Sequence, residues 1–264
     1  MDTLVEYAGP ADTGGPYARL TLNSPHNRNA LSTTLVAQLH QGLRDASSDP
    51  AVRAVVLGHA GGTFCAGADL SEGGAAGSPP SSAYDMAVAR AREMTALMRA
   101  VVASPLPVIA AINGHVRAGG FGLVGACDIA VAGPRSTFAL TEARIGVAPA
   151  IISLTLLPKL SPRAAARYYL TGETFDADAA AEIGLITMAA EDVDAATEKL
   201  VADVGRGSPQ GLAASKALTT AAVLEGFDRD AERLAEESAR LFVSDEAREG
   251  MLAFLEKRPP RWTS

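Results

Sequence analysis

A glycine turn in the middle of the sequence has the residue types of an anion-binding site. The turn is Ala118-Gly119-Gly120, which follows the apolar run Pro107–Ile112 and precedes a short buried helix predicted over Phe121–Cys127. The first N–H groups of a helix lack intrahelical partners and carry partial positive charge. Because glycine lets another group approach the backbone closely, Gly119 is a candidate donor to a negative charge that develops on a reacting oxygen.

A second glycine turn has the same arrangement nearer the N-terminus. The buried-strand pattern Ala54–Gly58 leads into the turn Gly61–Leu70, in which Asp69 is an acidic residue typical of a helix start. Two such turns can supply two backbone donors. Downstream, Glu142 places one carboxylate in an otherwise apolar stretch.

The elements that must position the first turns follow from hydrophobic periodicity and capping. Residues 3–7 and 17–22 alternate apolar and polar on either side of a turn-rich segment, which predicts a β-hairpin. Ser32 predicts the start of an amphipathic helix that ends near Asp49-Pro50. The Gly/Ser/Pro stretch 71–82 cannot bury a core, and it is interpreted either as a lid over a pocket or as a solvated loop.

The second half of the sequence is predicted to be mainly helical. Ser161-Pro162 is a strong helix start, because serine caps the first N–H groups and proline fits the first helical position. Ser244 is a cap of the same kind. The predicted elements are a long helix over Tyr84–Ala103, helical segments over Pro149–Leu160 and Ser161–Leu170, a strand over Ile183–Met188, and helices over Asp230–Phe242 and Asp245–Glu256.

Composition and charge exclude several classes of function. The chain has 264 residues and is 48% hydrophobic, which is enough for one large globular domain. Its formal net charge of −7 and the lack of a Lys/Arg run predict no nucleic-acid partner. No apolar run is long enough to cross a bilayer, and the N-terminus resembles neither a signal nor a transit peptide, so we expect a cytoplasmic protein without a membrane partner.

The cysteines and histidines do not form a reactive or metal-binding pattern. Cys65 and Cys127 both lie in apolar strand or helix patterns, which predicts buried free thiols and not a disulfide. His26, His40 and His59 have no partner spacing typical of a metal site. We therefore expect no metal ion.

The order of these motifs, taken with Arg28–Ser32 upstream, resembles that of the crotonase superfamily, the enoyl-CoA hydratase/isomerase family. The resemblance covers nearly the whole chain, as far as Glu249–Met251 and Phe254–Arg258. It implies an α/β fold, a crotonase-like spiral of ββα units with a helical C-terminal region. We expect the spiral core over residues 1–200 and a helical trimerisation region over 201–264, in a homotrimer or a dimer of trimers.

The resemblance also implies which residues act. In the family, two backbone N–H groups form an oxyanion hole for a thioester carbonyl, and by motif they fall on Ala68 and Gly119. Glu142 matches the glutamate that exchanges a proton at the carbon next to that carbonyl, and an apolar surround is expected to raise its pKa. The alternative for Glu142 is a surface glutamate paired with Arg144. Asp69 lies at a helix start and is interpreted as a cap and not as a catalyst.

The substrate implied by the resemblance is an acyl-CoA thioester. Coenzyme A is then part of the substrate, and no separate cofactor is expected. Lys257 is a candidate cation for coenzyme A, although a lysine near a helix C-terminus is equally expected from the helix dipole. Phe254 is expected near the adenine. The implied substrate-binding residues are Arg28, Ala66, Gly67, Ala68, Asp69, Gly119, Phe254 and Lys257.

Gly122 departs from the two-glutamate pattern of the hydratases, which carries its other glutamate 20 residues before the position of Glu142. Water activation by a carboxylate pair is therefore in doubt. The resemblance implies a hydratase acting on a 2-enoyl-CoA, in which Glu142 is both base and acid. An isomerase that converts 3-enoyl to 2-enoyl-CoA is the second alternative, and a thioester hydrolase is the third. A catalytically silent acyl-CoA binding protein is the alternative from a different class.

Overall fold

Two β-sheets form the framework of the protein, whose computed structural model describes residues 2–69, 72 and 80–263. The strands are β1 Val5–Ala8, β2 Tyr17–Leu22, β3 Ala54–His59, β4 Thr63–Cys65, β5 Val108–Ile112, β6 His115–Arg117, β7 Ile129–Ala132, β8 Phe138–Ala139 and β9 Met188–Ala189. The larger sheet has the order β1-β2-β3-β5-β7-β9 and is parallel except for the β1-β2 pair. That antiparallel pair confirms the predicted hairpin.

The smaller sheet is parallel and has the order β4-β6-β8. Each of its strands follows a strand of the larger sheet along the chain, so β3-β4, β5-β6 and β7-β8 are successive two-strand units. Helices at Pro80–Ala103 and Gly119–Ala126 follow the first two units. This repetition confirms the predicted α/β spiral of ββα units.

Helices cover the sheets and make up the C-terminal region. Ser32, Ser161 and Ser244 each accept a hydrogen bond from a backbone N–H three residues later, which confirms the predicted helix starts. The helices are α1 Pro10–Thr13, α2 Thr33–Ser48, α3 Pro80–Ala103, α4 Gly119–Ala126, α5 Ser153–Leu156, α6 Pro162–Thr171, α7 Ala177–Glu182, α8 Val193–Val204, α9 Pro209–Phe242 and α10 Asp245–Leu255.

Two predicted elements differ from the structure. The strand predicted over Ile183–Met188 is wrong for most of its length, because Gly184 has φ 81° and the chain turns there. Leu185 and Ile186 are buried, so their apolar character reflects core packing after a helix end and not strand periodicity. Of the helix predicted over Pro149–Leu160, the structure contains only the single turn α5, Ser153–Leu156.

The long helix α9 is attached to the core by a buried ion pair. Lys216 Nζ lies 2.7 Å from Asp128 Oδ2 and also donates to the carbonyl oxygens of Val101 and Leu106. Because the ammonium is satisfied by three oxygens, its burial is tolerated. A second ion pair joins α9 to α3: Arg99 of α3 lies 2.8 Å from a carboxylate oxygen of Asp228 on α9. α9 is therefore part of the folded core. The boundary near residue 200 and trimerisation by this region remain predictions.

Candidate active site

The candidate site lies at one edge of the smaller sheet. β4 leads into Gly67 and Ala68, β6 leads into Gly119, and β8 leads into Glu142. The register pairs Val116 of β6 with the start of β8, and all three strands run in the same direction. Because parallel strands end at the same edge of a sheet, the two glycine turns and the glutamate are brought to one place.

The two glycine turns pack directly against each other. Gly67 has φ 96°, a left-handed conformation that favours glycine. A Cβ placed on Gly67 would lie 2.9 Å from the Gly119 nitrogen, and one placed on Gly119 would lie 3.5 Å from the Ala68 nitrogen. The backbone nitrogens of Ala68 and Gly119 are therefore close neighbours.

Neither of these nitrogens donates to a protein acceptor within the ranges that the structure describes. Gly119 is the first residue of α4, whose opening N–H groups are expected to lack intrahelical acceptors. Ala118 immediately before it has φ 44° and ψ −123°, which is unusual for a residue with a side chain. Such strain is typical of functional turns, and here it orients the start of the helix.

Glu142 is a buried carboxylate in the 3₁₀ turn Glu142–Ile145 that follows β8. It is 8% exposed, and its Oε2 atom has no hydrogen-bond partner in the described part of the chain. Burial raises the pKa of Glu142 from 4.5 to about 7. Arg144 donates to the carbonyl oxygen of Thr171 at 3.1 and 2.8 Å and does not pair with Glu142, so the surface ion pair considered as an alternative is not formed.

The position of the absent second glutamate is filled by apolar side chains. A Cβ on Gly122 would lie 2.5 Å from Met98 Sδ and 2.7 Å from Ile152 Cγ2. Met98 and Ile152 are both buried. The sequence predicted the missing carboxylate, but it did not predict that the neighbouring side chains leave no space for one.

Five of the residues implied for substrate binding lie side by side. The Arg28 carbonyl accepts a 3.1 Å hydrogen bond from the Ala66 nitrogen, and the Gly67 carbonyl accepts a 2.7 Å bond from Leu31. Asp69 accepts a hydrogen bond from the side chain of Asn27. The helix that Asp69 was predicted to cap, and most of the predicted lid 71–82, lie outside the described residues. The adjacent residues are Arg28, Ala66, Gly67, Ala68 and Asp69.

Phe254 and Lys257 lie at the other end of the chain, at and just beyond the end of α10. Phe254 is 65% exposed, and Lys257 is exposed with φ 54°. α10 packs closely on the turn that carries Glu142, since a Cβ on Gly250 would lie 2.5 Å from the Ile145 carbonyl carbon. No hydrogen bond or ion pair among the described residues connects Phe254 or Lys257 with the loop Ala66–Asp69, so their part in binding stays a prediction.

Tyr169 is a polar residue near Glu142 that the sequence did not identify. Its hydroxyl lies 3.2 Å from Ser153 Oγ, and burial, with a contribution from the Glu142 carboxylate, raises its pKa to about 12. The sequence predicted only that both residues lie in helical segments. The contact between Tyr169 and Ser153 depends on tertiary packing, for which no local signal exists.

Other candidate chemistries receive no support from the described residues. Cys65 and Cys127 are buried free thiols, as predicted, and burial raises the pKa of each to about 12. Within residues 2–69, 72 and 80–263, no three His, Cys, Asp or Glu side chains are grouped so that they could hold a metal ion. No helix in these ranges is both long and apolar enough to span a membrane.

The buried Glu142 predicts that substitution by glutamine stabilises the protein at high pH. The raised pKa means that the unfolded chain releases this proton near pH 4.5 and the folded chain only near pH 7. Stability is therefore lost as the pH rises through this window. Glu142→Gln should be more stable than the wild type above pH 7, by about 3 kcal/mol, and the difference should vanish below pH 4.5.

Urea unfolding at several pH values measures this difference. Glu191→Gln is a matched control, because Glu191 is exposed and its substitution should change the free energy of unfolding little. Parallel pH profiles for the wild type and Glu142→Gln would contradict the burial of an unpaired carboxylate.

Comparison with known proteins identifies the family of the chain. The sequence model for enoyl-CoA hydratase/isomerase matches residues 14–264. The crystal structure of an enoyl-CoA hydratase from Mycobacterium avium is 84% identical, covers 99% of this chain and 100% of that chain, and has a TM-score of 0.93. That of an enoyl-CoA hydratase from Mycobacterium smegmatis is 32% identical over 100% of both chains, with a TM-score of 0.74.

A curated relative gives the same result. Enoyl-CoA hydratase EchA19 of Mycobacterium tuberculosis is 33% identical over 254 residues, which are 92% of this chain and 91% of the relative. A family match over nearly the whole chain is thus joined by relatives that match in sequence and in fold. The chain belongs to the enoyl-CoA hydratase/isomerase family.

Proposed function

We propose that this protein catalyses the reversible syn hydration of a 2-enoyl-CoA thioester. The observation that carries the proposal is the position of Glu142, a buried carboxylate with an unpaired oxygen, at the sheet edge where Ala68 and Gly119 present backbone N–H groups. The relatives described above are named enoyl-CoA hydratases, which supports an acyl-CoA substrate.

In the proposed reaction, the N–H groups of Ala68 and Gly119 bind the thioester oxygen. Addition at the β-carbon moves the electron pair of the double bond toward that oxygen and forms an enolate. Backbone donors that the fold holds in place stabilise this charge without reorganising, which is the main source of catalysis in sites of this type. The close packing of the two turns supports this use, because it holds the two donors near one point.

Glu142 then moves both protons. Its carboxylate takes a proton from water as the water oxygen bonds to the β-carbon, and it returns a proton to the α-carbon of the enolate. A pKa of about 7 suits both steps, because the group is then neither a strong acid nor a strong base near neutral pH. Dehydration is the same sequence in reverse.

Isomerisation of a 3-enoyl-CoA to a 2-enoyl-CoA is the second candidate. The observation that favours it is the packing of Met98 and Ile152 over Gly122, which leaves one carboxylate and an apolar surface where hydratases carry their other glutamate. Isomerisation needs only one base, which removes a proton from the α-carbon and returns it to the γ-carbon. No water molecule has to be held.

A silent acyl-CoA binding protein is the alternative from another class. A binding protein has no need of an unpaired carboxylate at 8% exposure, which costs stability at neutral pH. The burial of Glu142 therefore favours an enzyme. We propose no cofactor beyond the coenzyme A that the substrate carries, with Arg28, Lys257 and Phe254 as its contacts.

Glu142→Gln should lower the rate of hydration by at least about 100-fold, because the only proposed acid and base is lost. Binding of the thioester should persist, since the backbone donors are unchanged. The measurement is the loss of conjugated enoyl-thioester absorbance from 2-enoyl-CoA, compared with the gain of that absorbance from 3-enoyl-CoA.

The same pair of assays on the wild type separates the candidates. Loss of absorbance from 2-enoyl-CoA supports hydration. A gain from 3-enoyl-CoA without that loss makes the protein an isomerase. If neither signal appears across chain lengths while CoA esters still bind, the silent binding protein is correct.

We also propose that the protein is a trimer or a dimer of trimers. Leu252 and Leu255 on α10 are 45% and 73% exposed, and Leu218 on α9 is 82% exposed, so the C-terminal helices present apolar side chains to solvent. Sedimentation velocity at micromolar concentration should give three or six times the mass of the chain. A stable monomer would contradict the proposal.

A further inference from the structure

The structure places Tyr169 on a helix that contacts the turn of Glu142. Tyr169 belongs to α6, whose last residue, Thr171, accepts both hydrogen bonds from Arg144 of that turn. The Tyr169 side chain is half-buried. These two hydrogen bonds hold the end of α6, which carries Tyr169, against the turn of Glu142.

The hydrogen bonds of Tyr169 have a defined direction. Ser153 Oγ lies 2.7 Å from the carbonyl oxygen of Pro149, which can only accept, so the single hydroxyl hydrogen of Ser153 is used there. Tyr169 must then donate to Ser153 Oγ, at 3.2 Å. The phenol oxygen keeps its lone pairs, so Tyr169 can accept a hydrogen bond from another group.

Hydration by a single carboxylate lacks one acceptor. The attacking water has two hydrogens, of which Glu142 takes one, and the other needs a partner that also orients the water. A carboxylate at the position of Gly122 is excluded because Ile152 and Met98 fill the space there. Ile152 directly precedes Ser153, so the anchor of Tyr169 is adjacent to the residue that fills this space.

We propose that Tyr169 is a catalytic residue of hydration: its oxygen accepts a hydrogen bond from one O–H of the attacking water, while Glu142 takes the other proton of that water. This inference rests on the proposed hydratase function. The water oxygen forms the bond to the β-carbon, its first proton passes to Glu142, and the electron pair of the double bond moves into the enolate. Glu142 then gives a proton to the α-carbon. Tyr169 orients the water and keeps its own proton throughout.

Tyr169→Phe tests this assignment, because it removes only the hydroxyl. The rate of hydration of 2-enoyl-CoA should fall roughly 10- to 100-fold, as expected for one lost hydrogen bond to a group that develops charge. Exchange of the α-proton of a saturated acyl-CoA in D₂O, followed by NMR, should be unchanged, because it needs Glu142 and the oxyanion donors but no oriented water. Equal losses in both reactions would overturn the proposal and indicate a structural defect.

Tyr168→Phe is the matched control. Tyr168 is the neighbouring residue on α6, its ring packs 4.0 Å from that of Phe175, and its hydroxyl has no hydrogen bond among the described residues. Its substitution should leave both reactions at the wild-type rate. A loss of hydration equal to that of Tyr169→Phe would also overturn the proposal.

A double-variant cycle adds a test of the anchor. Ser153→Ala should lower hydration by releasing Tyr169, and Ser153→Ala with Tyr169→Phe should be no slower than Tyr169→Phe alone. Additive losses would contradict the hydrogen-bonded chain. A wild type that exchanges the α-proton but never hydrates would show that the proposed function is wrong. A Tyr169→Phe variant with full hydration would refute this inference alone.

Discussion

The close approach of two glycine turns is the constraint on which the site depends. A Cβ on Gly67 would lie 2.7 Å from Ala118 Cβ and 2.9 Å from the Gly119 nitrogen, so any larger residue would push the turns apart. Parallel pairing of β4 with β6 brings the turns to the same edge, and the strained Ala118 immediately precedes Gly119, the first residue of α4. The sheet, the helix and the strained turn together hold the N–H groups of Ala68 and Gly119 in place. Donors held in this way need little reorganisation during a reaction.

Burial raises the pKa of Glu142 and also lowers the stability of the folded protein at neutral pH. The third strand of the same sheet leads into the turn that carries it, and α6 and α10 pack against this turn. The resulting apolar environment raises its pKa to about 7, which is suited to proton transfer and unfavourable for stability at neutral pH. Met98 and Ile152 pack over Gly122, so the position of a second glutamate is occupied by apolar side chains.

The sequence predicted those features of the fold and the site that depend on residues close together in the chain. The fold and the candidate site were predicted from three features: glycine turns after buried strands, serine caps, and the isolated carboxylate of Glu142. The apolar pair Leu185 and Ile186 was misassigned to a strand, because burial after a helix end produces the same hydrophobicity as a strand. The Tyr169 hydroxyl and the filled space at Gly122 depend on contacts between distant segments, for which the sequence has no periodic signal.

The most direct measurement of the central claim compares Gly119→Pro with Gly119→Ala in the turnover of an enoyl-CoA. Both variants add a Cβ, which would lie 3.2 Å from Met94 Cε, but only proline removes the N–H. Gly119 is the first residue of α4, where proline is tolerated, so circular dichroism should show folded protein in both cases. If the N–H stabilises the enolate, turnover by Gly119→Pro should fall on the order of 100-fold or more below that of Gly119→Ala, with coenzyme A affinity retained. Equal turnover by the two folded variants would contradict the account.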